Sequence, residues 1–342
     1  MCNNVKFVNR DAIRFARKTY PEVSNKVKKE LAEFLEVSDE EIVITRNATE
    51  ALNIAIQGYP FRQGDEVVVN QLDYFSMVET FEMLEKRGEV KIVSFEMPLV
   101  PSTEEEIVEI YRSLINKNTR VLLLTHVSNI NGLIVPVTKI SAMARSHGVD
   151  VICDSAHALG QVKYSLSELG VDFVGMNLHK WIGNPIGAGV LYVRKNRVQE
   201  LKSLFGDVGN SDSNINKLSH FGTTPFAVIM TIPDSLAFHK LMDIEKISAR
   251  LHYLKNRWLS ALKDHPGVEI VTPIDNVLSC AIASFRVPQR KSIEIANELM
   301  QKFNILTTSR VLGANGCIRV TPSLFTPASD VDKFVQAVKA IV

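Results

Sequence analysis

A lysine stands in the run "NLHKWIGNPIGAGV", residues 177–190, between a histidine and a tryptophan and ahead of several glycines. Lys180 could be a snorkelling surface cation. A lysine amine that is partly desolvated, or set beside other cations, becomes a nucleophile that attacks an aldehyde carbon. His179 and the glycines beyond Lys180 offer a place for a phosphate. A second run, "CDSAHALGQ", puts Asp154 directly after an apolar, strand-like stretch, with His157 three residues on. A carboxylate there can hold a protonated ring nitrogen; equally, it can form a turn and cap the next segment. Cys153, Asp154 and His157 have no second cluster at ligand spacing, so a zinc site is rejected and no metal is expected.

A third run, "TRNATEALN", opens with Asn47 as an N-cap and Glu50 three residues later. The helix behind it presents free N–H groups beside Ala48 and the Thr49 hydroxyl, a setting suited to phosphate. Taken alone, an ordinary capped helix explains this run better. The spacing of the first two runs adds weight to the chemical reading. Lys180 follows Asp154 by 26 residues, with one strand between them. An acid at one strand end and a lysine at the next fit the two ends of one ring cofactor. Pyridoxal phosphate takes that pair: a Schiff-base lysine and an acidic partner for the pyridine nitrogen.

The elements that must position these residues alternate. Residues 21–36 read as an amphipathic helix. "EIVIT" (41–45) reads as a strand, "ATEALNIAIQG" as a helix, "DEVVVN" as a strand and "YFSMVETFEMLEKRG" as a helix. "VKIVSFE" and "TRVLLLTHV" are strands flanking a helix entered through a Ser102–Glu105 capping box. A helix from near Pro136, then "VDVICDSAH", "DFVGMN" and "GAGVLYVRK", complete the pattern. This predicts a mostly parallel sheet covered on both faces, with ligands outside the carboxyl ends of its strands. Past Pro233, residues 235–265 read as one long helical pattern. "CAIASFRVP", a helix, "GCIRVTP" and a last helix follow. The expectation is a large domain over 1–235 and a small α+β domain over 236–342.

The totals exclude several classes. The 342 residues are 46% hydrophobic and 23% charged, with a net charge of +1. No basic stripe offers itself to nucleic acid, and no apolar run reaches the roughly 18 residues that span a bilayer. The four cysteines are scattered, so a reducing cytoplasm is expected. The polar start is no signal peptide. No GxGxxG follows the first strand, which removes a nicotinamide-binding Rossmann enzyme.

In combination these runs resemble the class V aminotransferase family of fold-type I pyridoxal 5'-phosphate enzymes, from about residue 38 to the end. The resemblance implies roles by position. Ala48 and Thr49 match the phosphate-binding turn. Asn129 of "HVSNINGLIVPV" matches the residue near the cofactor's phenolic oxygen, and His157 the side chain beside that oxygen. Asp154 matches the pyridine-nitrogen partner, and His179–Lys180 the His–Lys pair that carries the Schiff base. Asn177 stands where many members have Ser. Gly222 and Thr223 of "HFGTTP" resemble the Gly-Thr that reaches the neighbouring subunit's phosphate, which implies a homodimer. Arg319 of "CIRVTP" resembles the arginine that pairs with the substrate's α-carboxylate, a partner its planar fork suits.

Three departures accompany the resemblance. Where many members stack a histidine on the ring, "NQLDYFSM" has Leu72, and Tyr74 is assigned the stacking role. Cys317 lies two residues before Arg319, in a strand pattern rather than a mobile loop, which disfavours cysteine desulfurase and makes Cys317 a core residue. The N-terminus is short, so an open pocket or an unusual substrate is expected. The branch most alike is that of isopenicillin N epimerase, with carbon–sulfur lyases and aminotransferases beside it. A relative that keeps the fold and serves only as a binding partner is the competing class. The expected activity is α-proton abstraction by Lys180 on an amino-acid substrate, with the fate of the carbanion open among epimerisation, transamination and β-elimination.

Overall fold

The computed structural model describes residues 1–342. Seven strands form the main sheet: β1 (Ile42–Thr45), β2 (Glu66–Asn70), β3 (Lys91–Phe95), β4 (Thr119–Thr125), β5 (Asp150–Asp154), β6 (Phe173–Asn177) and β7 (Gly189–Val193). Their order is β1-β7-β6-β5-β4-β2-β3. Only β7 runs against its neighbours, β1 and β6. All five residues of β5, of β6 and of β7 are buried. That is why these strands read as unbroken apolar runs rather than alternating ones. β3 closes one edge and has no fully buried residue.

Helices Ala48–Gly58, Phe75–Lys86, Glu104–Leu114 and Val137–Ser146 cover the sheet. Two glycines let the first of them approach closely. A Cβ on Gly175 of β6 would lie 2.4 Å from Leu52 Cγ, and one on Gly189 of β7 would lie 2.6 Å from Asn47 Cα. The helix start is thereby pressed against the ends of β6 and β7.

A second sheet comprises β8 (Glu269–Ile270), β9 (Ala283–Arg286), β10 (Thr308–Arg310) and β11 (Cys317–Val320), in the order β10-β11-β9-β8. It is antiparallel and is packed by helices Ile244–Leu262, Ser292–Phe303 and Ala328–Ile341. Trp258, Phe285 and Phe334 interlock at its centre, with ring centroids 5.8–6.2 Å apart.

Two expectations need correction. The single long helix past Pro233 is two, Ile232–Met242 and Ile244–Leu262. Asp243 separates them at φ 66°, and its carboxylate accepts from Glu245 N–H at 2.8 Å. The capping box at Ser102–Glu105 is displaced by one residue. Thr103 is the N-cap, accepting from Glu106 N–H at 3.1 Å, while Glu106 reaches back to Ser102 N–H at 2.7 Å. The first 19 residues are largely helical. Phe15 and Tyr20 anchor them to Phe226, with centroids 5.6 and 4.3 Å away.

Candidate active site

β4, β5 and β6 run parallel and in register, so Thr125, Asp154 and Gly175 stand level across the sheet. Residues just past that level open into one cavity of about 400 Å³. The main sheet and its loops supply Ala48, Thr49, Tyr74, Asn129, Asp154, His157, Asn177, His179 and Lys180; the second sheet supplies Arg310 and Arg319. Asp154 is the only carboxylate in the lining.

Asp154 ends β5 in the core. Its Oδ1 accepts from Ala156 N–H at 2.9 Å. Burial pushes its carboxyl above the usual range, opposed by that N–H and by the Lys180 charge. Lys180 opens into the cavity, but the recess is walled by protein and its ammonium is poorly solvated. Desolvation, with smaller help from Arg319 and Arg310, lowers Lys180 to about 8 against the pull of Asp154. Lys180 Nζ lies 3.1 Å from His157 Nε2. Burial first, then Lys180 and the two arginines, hold His157 well below its ordinary value.

At the other end of the cavity, the start of helix Ala48–Gly58 is partly spoken for. Asn177 Oδ1 accepts from Ala48 N–H at 2.9 Å, and Asn47 Oδ1 accepts from Glu50 N–H at 2.8 Å. The Thr49 N–H and hydroxyl stay free for an anion, and the macrodipole of the helix favours one there. His179 Nδ1 lies 2.8 Å from Ala188 O, which points its Nε2 away from the backbone.

Tyr74 and Leu72 divide as their side chains require. Leu72 is buried in the main core, whereas Tyr74 caps helix Phe75–Lys86 from the cavity wall. Cys317 is fully buried in β11, and burial pushes its thiol up to about 11. No cysteine lines the cavity. Gly222 and Thr223 lie outside it, on a partly exposed loop.

Sequence reasoning missed Arg310. It lies on a strand of three residues that carries no strand signal in the sequence. Arg319 donates to Asn129 O at 2.9 Å, and burial, then Arg310, lower its guanidinium to about 10. Neither arginine is paired with a carboxylate; the one hydrogen bond from either side chain is that of Arg319 to Asn129 O.

The lining suits pyridoxal 5'-phosphate. Four buried polar atoms of cavity residues have no protein partner: Thr125 Oγ1, Asn129 Oδ1, Arg310 Nε and Arg319 Nε. Buried polar groups without partners cost about 1–3 kcal/mol each, so a polar occupant is called for. An acid with Oδ2 unbonded, a poorly solvated amine and an open helix start provide for a ring nitrogen, an aldehyde and a phosphate in turn.

Comparisons with known proteins agree with this chemistry. The family described as aminotransferase class-V matches residues 6–334. The chain is 24% identical over 317 residues to isopenicillin N epimerase of Streptomyces clavuligerus, covering 88% of this chain and 80% of that one. It is 30% identical over 293 residues to a probable cysteine desulfurase of Methanothermobacter thermautotrophicus, covering 82% and 71%. The cystine C–S lyase C-DES, solved with its product cysteine persulfide, superposes with a TM-score of 0.86 at 19% identity, over 98% of this chain and 91% of that one. Another structure of C-DES holds glycine covalently linked to its PLP cofactor. With its fold, its cavity and a match over nearly its whole length in accord, the chain belongs to the class V aminotransferase family and is a pyridoxal-phosphate-dependent amino-acid enzyme.

Proposed function

We propose that this enzyme removes the α-proton of an amino acid with Lys180, in the manner of isopenicillin N epimerase. The observation that carries the reading is one cavity that joins Lys180, Asp154 and Arg319 with no cysteine in its wall. When bound, the cofactor supplies an electron sink for the substrate's α-carbon. Asp154 keeps a proton on the nitrogen opposite its free Oδ2. Lys180 Nζ, lowered to about 8, keeps an unprotonated fraction at neutral pH that takes the α-proton; a positioned base of this kind contributes ~10²–10⁴-fold. Arg319 holds the α-carboxylate in a planar fork. Thr49 and His179 hold the phosphate, Asn129 and His157 face the phenolic oxygen, and Tyr74 lies on the ring. Asn177 acts through Ala48, whose N–H it caps.

Gly222 and Thr223 then serve the neighbouring subunit of a homodimer. Residues 1–235 form the cofactor-binding domain and 236–342 the smaller one. No helix is long and apolar enough to cross a membrane, and a cytoplasmic location suits four free cysteines.

A second reading, a carbon–sulfur lyase of the cystine type, is favoured by Arg310. Two guanidinium groups in one cavity fit a substrate with two acidic groups. Cysteine desulfurase is disfavoured, since a buried thiol at Cys317 cannot reach a substrate sulfur. The test offers the holoenzyme L- and D-amino acids, cystine included, and identifies the product as enantiomer, keto acid or persulfide. Enantiomer supports the first reading, and pyruvate with persulfide the second. Loss of a cysteine-dependent activity in Cys317→Ala would overturn both in favour of a desulfurase.

A further inference from the structure

His157 is gripped from two sides. Trp181 Nε1 lies 3.2 Å from His157 Nδ1, and Lys180 Nζ lies 3.1 Å from His157 Nε2. The two rings meet at 67° with centroids 6.4 Å apart. An indole N–H only donates, so His157 Nδ1 must present its lone pair to Trp181. A neutral imidazole carries one proton, which then sits on Nε2. Nε2–H donates as well, so the atom facing it has to accept. An ammonium has no lone pair, whereas a neutral amine has one.

We propose that Trp181 is a positioning residue: its indole N–H locks His157 in the Nε2–H tautomer, and this biases Lys180 toward its neutral form, the form that can accept the bond between them. The proposal rests on the reading of Lys180 as the amine that holds the cofactor. Once Lys180 is engaged elsewhere, the same Nε2–H is left as a donor to an oxygen in the cavity. The sequence run "HKW" thus acquires a reason for its third residue.

The charged groups around Lys180 act in both directions. Asp154, at the end of β5, favours the ammonium; Arg310 and Arg319, from the second sheet, favour the amine, as does desolvation. His157 tips this balance through its tautomer. Without the indole N–H, the ring is free to carry its proton on Nδ1. Nε2 then offers a lone pair to the Lys180 ammonium and stabilises the charge. Removing a donor from Trp181 therefore raises the proton affinity of Lys180, two bonds away. Trp181 is half-buried and packs beside Ala158 and Ile282 and beside Ile247 and Leu251. Phenylalanine keeps most of that packing and lacks the N–H.

The test uses full-length protein labelled with ¹⁵N-histidine, as holoenzyme and after removal of the cofactor, with His157→Gln to assign the signals. In the wild type, His157 should carry its proton on Nε2 and leave Nδ1 bare from about pH 6 to about pH 9. In Trp181→Phe, an Nδ1–H population should appear. The cofactor-free variant should also capture pyridoxal phosphate, followed by absorbance, with a pH midpoint about one unit higher, hence about tenfold slower at pH 7. Benzothienylalanine at position 181, which keeps the ring shape without the N–H, should behave like Trp181→Phe. A wild-type Nδ1–H tautomer would overturn the proposal. So would either variant with the wild-type tautomer and midpoint. If the wild type captures pyridoxal phosphate at another lysine, the reading of Lys180 fails, while the nitrogen spectrum still decides the role of Trp181.

Discussion

Arg319 and Ser284 stand directly opposite each other on β11 and β9, and they hold two consecutive carbonyls of the loop that follows β4. Arg319 donates to Asn129 O at 2.9 Å, and Ser284 Oγ donates to Ile130 O at 2.6 Å. Thr272 Oγ1 takes the next carbonyl, that of Asn131, at 2.6 Å. The cavity-lining Arg319 and the loop bearing Asn129 are therefore built as one piece across the two sheets. Gly132 closes the contact, with φ 74° and room for no Cβ, which would lie 1.9 Å from Ile282 O.

Ser284→Ala removes one rung of that join. The buried Ile130 carbonyl loses its hydroxyl donor and keeps only the weak Cys317 thiol at 4.0 Å, at about 1–3 kcal/mol of stability. With its neighbouring rung gone, Arg319 is less well placed. KM for the amino acid should rise about fivefold, the equivalent of about 1 kcal/mol, while kcat changes less. Steady-state kinetics beside a thermal melt separates the two effects. An unchanged KM in a destabilised variant would show that the loop alone orients Arg319.

Lys180→Ala should lose the covalent cofactor and at least about 10³-fold in turnover. Borohydride reduction followed by peptide mass analysis checks the attachment; a reducible adduct at another lysine in this variant would sink the assignment. Asp154→Ala should keep an adduct on Lys180 yet turn over poorly, because the ring nitrogen loses the acid that holds its proton. Wild-type rates there would remove Asp154 from that role.

A second buried acid lies behind the first. Asp73 accepts from Asn70 N–H at 2.8 Å and from Thr125 N–H at 3.2 Å, tying the ends of β2 and β4 together. Burial raises it to about 7 despite those donors, and the Asp154 charge adds to the rise. A folded-state value above the ordinary carboxyl value of 3.8 means that its stabilising share is fully present below about 3.8 and is lost as pH rises through about 7. In Asp73→Asn this share should vanish. Wild type minus variant, measured by denaturant unfolding, should therefore decline between about pH 4 and about pH 7. A difference that is flat or rises across that window would show that the two N–H donors outweigh burial.

Much of this architecture was legible because apolar runs and caps are local signals. The central strands announced themselves as unbroken apolar stretches, and the polar residues just past them do meet in one cavity. What escaped was tertiary in origin. The helix break at Asp243 depends on a positive φ that a single-residue N-cap imposes within an otherwise continuous helical pattern. Asn177 was placed at the cavity, but its carbonyl's commitment to Ala48, 129 residues away, has no trace in local sequence. The division of labour between Leu72 and Tyr74 follows from which side of the turn faces the core. Arg310 sits on a strand held only by pairing with β11, so its chemistry became visible only with the second sheet in place.

Arg310 also makes the sharpest prediction about substrate. Its Nε is buried without a protein partner, and it shares the cavity with Arg319, which the α-carboxylate would occupy. A second anionic group on the substrate would satisfy Arg310 and offset the repulsion between the two guanidiniums. Arg310→Met keeps the side chain's length and removes its charge. For an amino acid with a second acidic group, kcat/KM should fall about 10- to 100-fold, the range expected for a charge-assisted hydrogen bond of about 1.5–3 kcal/mol. For a monoacidic amino acid the same variant should change little, or improve as Arg319 loses a like-charged neighbour. Arg310→Lys should recover only part of the loss, since a point charge does not reproduce a planar fork. Equal losses on both substrate classes would mean that Arg310 supports the shape of the cavity rather than selecting what enters it.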